Sequence, residues 1–270
     1  MITVSPDSNH IQNSILKLFN PQAQDQENLP LLVYLPGMDG TGELFHQQTP
    51  DLKEQFNLRC LSIPSQNKFN WEQLTQATID CLEKELINHQ YPSIYLCGES
   101  FGGCLAMKVA LAKPELISKL VLINCASSFN QQPILSLGIT ITRWIPSWLH
   151  RNSTVGLLPF LAELNRLSYS DRRALLNAMK SLPQEIVSWR LSLLRDFAVN
   201  PSQCKQFQPT TLIISSKCDR LLPSEQEAIK LAALFPNSIQ EILPNSGHAC
   251  LLETDIKLMA IMSQHQLIEG

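Results

Sequence analysis

From Leu31 onward, short apolar runs alternate with longer amphipathic ones. Leu31–Leu35 (LLVYL) runs straight into Pro-Gly, Leu58–Ile63 (LRCLSI) ends at a proline, and Ser93–Cys97 (SIYLC) ends at Gly98. Leu120–Ile123 (LVLI) and Thr211–Ser215 (TLIIS) repeat the pattern, and Ile239–Leu243 (IQEIL) is a weaker version of it. Runs this short and this continuously apolar suit strands covered by helices on both faces.

Between them the period becomes helical. Trp71–Leu86 places Leu74, Ala77, Ile79 and Leu82 among its apolar positions. Phe101–Ala112 follows a glycine-rich turn and stops before Pro114. Ser224–Leu234 opens after Pro223, with Ser224 expected as N-cap and Glu227 at capping-box spacing. Repeated strand, helix, strand predicts an α/β class with a mostly parallel, doubly wound sheet and helices on both faces.

The rhythm breaks between Ser127 and Gln208, where only helical and proline-punctuated segments occur. That is too long for a loop. It predicts a helical cap, residues 127–208, inserted into a core domain made of residues 1–126 and 209–270. The cap is rich in apolar side chains, most of which must fill its own small core. Trp144, Trp148 and Leu149, together with Leu222 in the core, are the expected lining of an apolar substrate pocket.

Composition narrows the class. A chain of 270 residues can bury a substantial core. A formal net charge of -3, with scattered Lys and Arg, provides no footprint for nucleic acid and no electrostatic membrane anchor. Met1 to Asn20 does not read as a secretory signal. No stretch reaches the roughly 18 apolar residues of a membrane span, so any membrane contact is expected to be transient and at the surface. Eight cysteines without a C-x-x-C pair read as buried free thiols, which places the chain in a reducing cytoplasm. Oligomeric state is not legible.

The chemistry concentrates at Gly98-Glu99-Ser100-Phe101-Gly102-Gly103, a G-x-S-x-G string directly after a strand and before a helix. A sharp turn there forces the serine above the sheet, and small residues on either side avoid a clash as the chain folds back. Ser100 is the expected nucleophile. Its hydroxyl needs a base, and His248, in the loop after the last strand, is the histidine at the position used by the α/β-hydrolase fold, which such an elbow marks and which is the expected fold here. Asp219 follows the penultimate strand and is the expected acid, against Asp196 and Glu225, which follow no strand. Backbone N–H groups of Met38 and Phe101 are the expected oxyanion donors, with Gly37 letting the loop turn towards the site. Asp39 is expected to cap a helix or organise that loop, and Glu99 to make a structural contact. No metal or cofactor is expected, because no H-E-x-x-H, Walker or Rossmann string occurs.

LPGMDGTGELF, LRCLSIP, IYLCGESFGGCLAMKVA and LVLINCASSF together resemble the hydrolase half of the phytyl ester synthase/diacylglycerol acyltransferase-like family of plastids and cyanobacteria. The resemblance spans Leu31 to about Phe129. It implies an acyl-ester site for long-chain lipids, with Ser100, Asp219 and His248 in the triad positions and Met38 and Phe101 in the oxyanion loop. The leading expectation is hydrolysis of a small-molecule or lipid-like ester through an acyl-enzyme. Acyl transfer to a long-chain alcohol, thioester cleavage and carbon–carbon bond hydrolysis use the same residues. A non-catalytic binding module is the remaining alternative, and an intact triad argues against it.

Overall fold

A computed structural model describes residues 15–22, 24–129, 156 and 158–268. Among them, β1 (Lys17–Phe19), β2 (Leu31–Leu35), β3 (Asn57–Ser62), β4 (Ile94–Glu99), β5 (Lys119–Ile123), β6 (Thr210–Ser216) and β7 (Ser238–Leu243) form one sheet. Its order is β1-β3-β2-β4-β5-β6-β7. Every pairing is parallel except that of β1 with β3.

Alternation along the strands divides the core in two. Leu31, Val33, Leu35, Leu96 and Leu120 point into one apolar cluster, and Leu32, Tyr34, Cys97, Val121 and Ile123 into another. The first face is covered by α1 (Trp71–Asn88), α2 (Phe101–Ala112) and α6 (Ser224–Leu234). The second is covered by the single helical turn Thr49–Leu52 and by α7 (Leu258–Gln264). This double cover is why the central strands read as continuous apolar runs.

Helix boundaries follow local signals. At α1, Asn70 Oδ1 accepts from the Gln73 amide at 2.9 Å, and Gln73 Oε1 accepts from the Asn70 amide at 3.0 Å, closing a capping box. The capping box expected at Ser224 does not form. Pro223 occupies the cap position, and the Ser224 hydroxyl donates instead to Asp219. Glu227 is buried and accepts from the Ser127 hydroxyl. A buried carboxylate within reach is a better acceptor for Ser224 than a helix terminus is a donor.

The three-residue β1 is too short to show a period, and its antiparallel pairing comes from chain reversal at the sheet edge. No strand occurs between β5 and β6 among the described residues, which there form α3 (Tyr169–Ser181), α4 (Gln184–Arg195) and α5 (Pro201–Gln206). Leu193, Leu194, Phe197, Cys204 and Phe207 of this stretch join the cluster under α2, while Ala162, Leu167 and Leu175 pack with Leu252. Trp144, Trp148 and Leu149 lie outside the described residues. Leu222 is buried in the cluster under α2.

Candidate active site

The turn between β4 and α2 puts Ser100 at φ 55°, ψ -115°, a conformation unfavourable for a residue with a Cβ. Tight packing holds it there. A Cβ on Gly98 would lie 2.3 Å from the Gly102 carbonyl oxygen, and one on Gly102 only 2.0 Å from that of Leu35. The backbone of Ser100 is also pinned from β5: its N–H donates to Ile123 O at 2.9 Å, and its carbonyl accepts from the Ala126 N–H at 3.2 Å. Phe101, fully buried, stacks on Trp71 with ring centroids 4.9 Å apart.

His248 brings the two other expected residues together. Its Nε2 lies 2.9 Å from Ser100 Oγ and its Nδ1 2.7 Å from Asp219 Oδ2. A carboxylate only accepts, so Nδ1 carries the proton and Nε2 is free to accept from the serine hydroxyl. Burial pulls the His248 pKa down, but the charge and hydrogen bond of Asp219, with the charge of Glu99, outweigh it and leave it raised. Burial likewise opposes ionisation of Asp219. The His248 imidazole, the Ser224 hydroxyl and the Leu222 amide overcome that, and its carboxyl lies below the ordinary range. Asp219 Oδ1 accepts from the amides of Leu221 at 2.8 Å and Leu222 at 2.9 Å, which fixes the carboxylate plane.

Across from the elbow, the Gly37 carbonyl accepts from the Gly40 N–H at 3.1 Å, closing a tight turn. The trans peptide therefore aims the Met38 N–H the opposite way. Gly37 has no left-handed φ; what it contributes is room, since a Cβ there would sit 3.8 Å from Ser100 Cβ. Among the described residues, Gly40 and Gly42 are the glycines at positive φ, 72° each. Asp39 organises the loop by accepting from the Thr41 amide and hydroxyl. Arg190, 2% exposed, reaches in from α4 and donates to the Met38 carbonyl. Glu99, next to Ser100, is buried and accepts from the Tyr34 hydroxyl at 2.5 Å.

Several residues of this network have no signal in the sequence. Asn124 contacts the His248 loop, and Glu253 accepts from the Gly247 N–H at 2.8 Å and from Arg166 Nε at 2.5 Å. Among the described residues one metal-like group occurs, Asp25, Glu85 and His89, and it lies outside the site. The Arg59 guanidinium lies within 2.6 Å of both Asp25 and Glu85 and already ion-pairs with each. A groove of about 650 Å³ lined by Phe19, Phe45, His46, Lys53 and Cys60 includes none of the site residues.

Residues 30–255 match the family model described as alpha/beta hydrolase fold, and the chain belongs to that family. It is an enzyme of the α/β-hydrolase class. Its sequence is 32% identical over 259 residues to phytyl ester synthase 1, chloroplastic, of Arabidopsis thaliana, and 28% identical over 261 residues to phytyl ester synthase 2, chloroplastic, of the same plant. Each match covers 87% of this chain and 37% of the relative, so the chain spans well under half the length of these relatives. An sn-1-specific diacylglycerol lipase of Mus musculus is 23% identical, over 82% of this chain and 75% of that protein. Among solved structures, an esterase from Exiguobacterium antarcticum superposes with a TM-score of 0.72 at 18% identity, over 93% of this chain and 94% of that one. That last likeness concerns the fold. No helix among the described residues is long and apolar enough to cross a membrane.

Proposed function

We propose that the chain cleaves carboxylic esters with an apolar, lipid-like acyl group, using Ser100 as nucleophile, His248 as base and Asp219 as acid. The observation that carries this reading is the pair of contacts made by one imidazole, 2.9 Å to Ser100 Oγ and 2.7 Å to Asp219 Oδ2. His248 Nε2 takes the hydroxyl proton as Ser100 Oγ attacks the ester carbonyl. Asp219 stabilises the imidazolium that forms. The amides of Met38 and Phe101 hold the oxyanion, the second of them at the start of α2, where the helix dipole favours negative charge. His248 then protonates the departing alcohol, and water repeats the sequence on the acyl-enzyme.

The same reading keeps a lid inserted between β5 and β6 as part of the proposal, bringing an apolar lining to the acyl chain. It also keeps the chain in a reducing compartment such as the cytoplasm. The free state of all eight cysteines supports that placement.

A panel of esters graded by acyl length, with wild type and Ser100→Ala, tests the reading. Activity on apolar esters should fall by at least ~10³-fold on substitution. A Ser100→Ala protein as active as wild type would overturn it. Similarity to proteins named phytyl ester synthases favours a second reading, transfer of the acyl group to a long-chain alcohol. Incubation with an acyl donor and such an alcohol separates the two, because hydrolysis yields only free acid.

A further inference from the structure

We propose that Asn124 is a positioning residue of this site: its side-chain amide ties the turn carrying Asp219 to the loop carrying His248, while its own backbone segment holds Ser100. The inference rests on the catalytic reading of those three residues given above.

Asn124 stands at the end of β5, 1% exposed, with φ 42°. Asparagine is among the few residues with a Cβ that enter this left-handed region readily. Its Nδ2 donates to the His248 carbonyl at 2.7 Å and to Ser216 Oγ at 2.9 Å. Its Oδ1 accepts from the Ser216 N–H at 2.8 Å. The reverse orientation would set oxygen against oxygen at His248, so the neighbours decide which end donates. Ser216 in turn accepts from the Asp219 N–H at 3.3 Å. The chain on either side of Asn124 supplies Ile123 O and Ala126 N, the two groups that grip the backbone of Ser100.

One four-residue segment, 123–126, thus touches the local backbone of all three residues. The opposite side of the His248 loop is held through Gly247 by Glu253. The chemistry asks for asparagine specifically. A short planar group must donate to the His248 loop and accept from the end of β6. Aspartate would oppose a carboxylate oxygen to the His248 carbonyl, and leucine would strand buried polar groups on both sides. An imidazole that must meet two partners at 2.7 and 2.9 Å tolerates little drift. A misplacement of about 1 Å can cost on the order of 10²-fold in rate.

The test uses the whole chain as wild type, Asn124→Gly, Asn124→Asp and Ser100→Ala. Asn124→Gly removes the amide without backbone strain; Asn124→Asp keeps the acceptor and loses the donor. The readouts are kcat and KM on a p-nitrophenyl ester, the pH dependence of kcat/KM, Ser100 labelling by a fluorophosphonate, and Tm. Both variants should fold, lose ~10- to 100-fold in kcat and in labelling rate, and keep KM within about threefold. In Asn124→Gly the acid limb of the pH profile should move to lower pH, as a looser Asp219 contact lets the His248 pKa fall back. Wild-type kcat and an unmoved limb in Asn124→Gly would overturn the proposal. So would failure of both variants to fold, which would assign Asn124 to the fold. An active Ser100→Ala protein would instead remove the catalytic reading and this inference with it.

Discussion

Arg190 donates its guanidinium to the backbone carbonyl of Met38, a residue 152 positions earlier in the chain. The same group lies 3.3 Å from Pro64 O and 3.5 Å from Ile63 O. A Cβ on Gly40 would meet it at 2.6 Å. A buried cation thus clamps the turn whose Met38 amide the proposed mechanism aims at the oxyanion, and it does so through carbonyl oxygens.

Arg190→Met should therefore separate activity from stability. Burial pulls the Arg190 pKa down to about 10, against the charge of Asp39, which shows what keeping this cation inside costs. Removing it relieves that cost but strands the Met38 carbonyl, so Tm should change little, while kcat falls by about 10- to 100-fold as the proposed oxyanion donor loses its orientation. Steady-state kinetics beside a thermal melt checks both. An unchanged kcat would detach Arg190 from catalysis.

The pH profile should report His248. The imidazole must be neutral to act as base, and its pKa is raised by Asp219 and Glu99 despite burial. The acid limb of kcat/KM should accordingly lie above the ordinary 6.5. Asp219→Asn removes the dominant raising charge. Its limb should move to lower pH, with kcat reduced by ~10³- to 10⁴-fold. A limb at the same pH in both proteins would contradict the assignment.

Glu99 should make the fold less stable as pH rises. Burial, with the charge of Asp39, pushes its carboxyl up from 4.5 to about 7, although the Tyr34 hydroxyl and His248 pull the other way. The folded state therefore holds this proton more tightly than the unfolded state. That stability is whole below 4.5 and is lost as pH rises through about 7. The loss is on the order of 3 kcal/mol. Glu99→Gln keeps an acceptor for Tyr34 and cannot ionise. Between about pH 5 and about pH 8 the wild-type Tm should fall by clearly more than that of Glu99→Gln. Parallel curves would refute the prediction.

Glycines around the elbow should respond very differently to alanine. Gly102→Ala and Gly98→Ala would drive a Cβ into backbone atoms at 2.0 and 2.3 Å. Each should lose ~3 kcal/mol or more in urea unfolding, or fail to accumulate folded protein. Gly37→Ala meets nothing closer than 3.7 Å, so its stability should be near wild type. Its new methyl would stand beside Ser100, and kcat/KM should drop while the melt does not.

Six strands and the elbow are legible in the chain because their causes are local. β2 and β5 are apolar on both faces, and Gly98 and Gly102 mark a turn that no larger residue could make. Ser100, Asp219 and His248 are legible for a related reason: each sits in the loop just after a strand, and a parallel sheet gathers those loops at one edge. The reading fails where a local rule meets a distant partner. Ser224 has the spacing of an N-cap, yet its hydroxyl turns to Asp219. Asn124 looks like an ordinary residue at a strand end, and its partners Ser216 and His248 lie 92 and 124 positions away.

The sequence by itself determined six of the seven strands among the described residues, the strained serine turn, and the candidate acid and base. Hydrophobic period and glycine stereochemistry act over a few neighbouring residues and need no knowledge of the whole. Only the tertiary structure decided which groups hold the three residues in line. It places Asn124 between the acid turn and the histidine loop, Glu253 on the Gly247 amide, and Arg190 on the Met38 carbonyl. Those hydrogen bonds join segments that meet only when the sheet has closed. They depend on distances of a few tenths of an ångström, which no local pattern of side chains encodes.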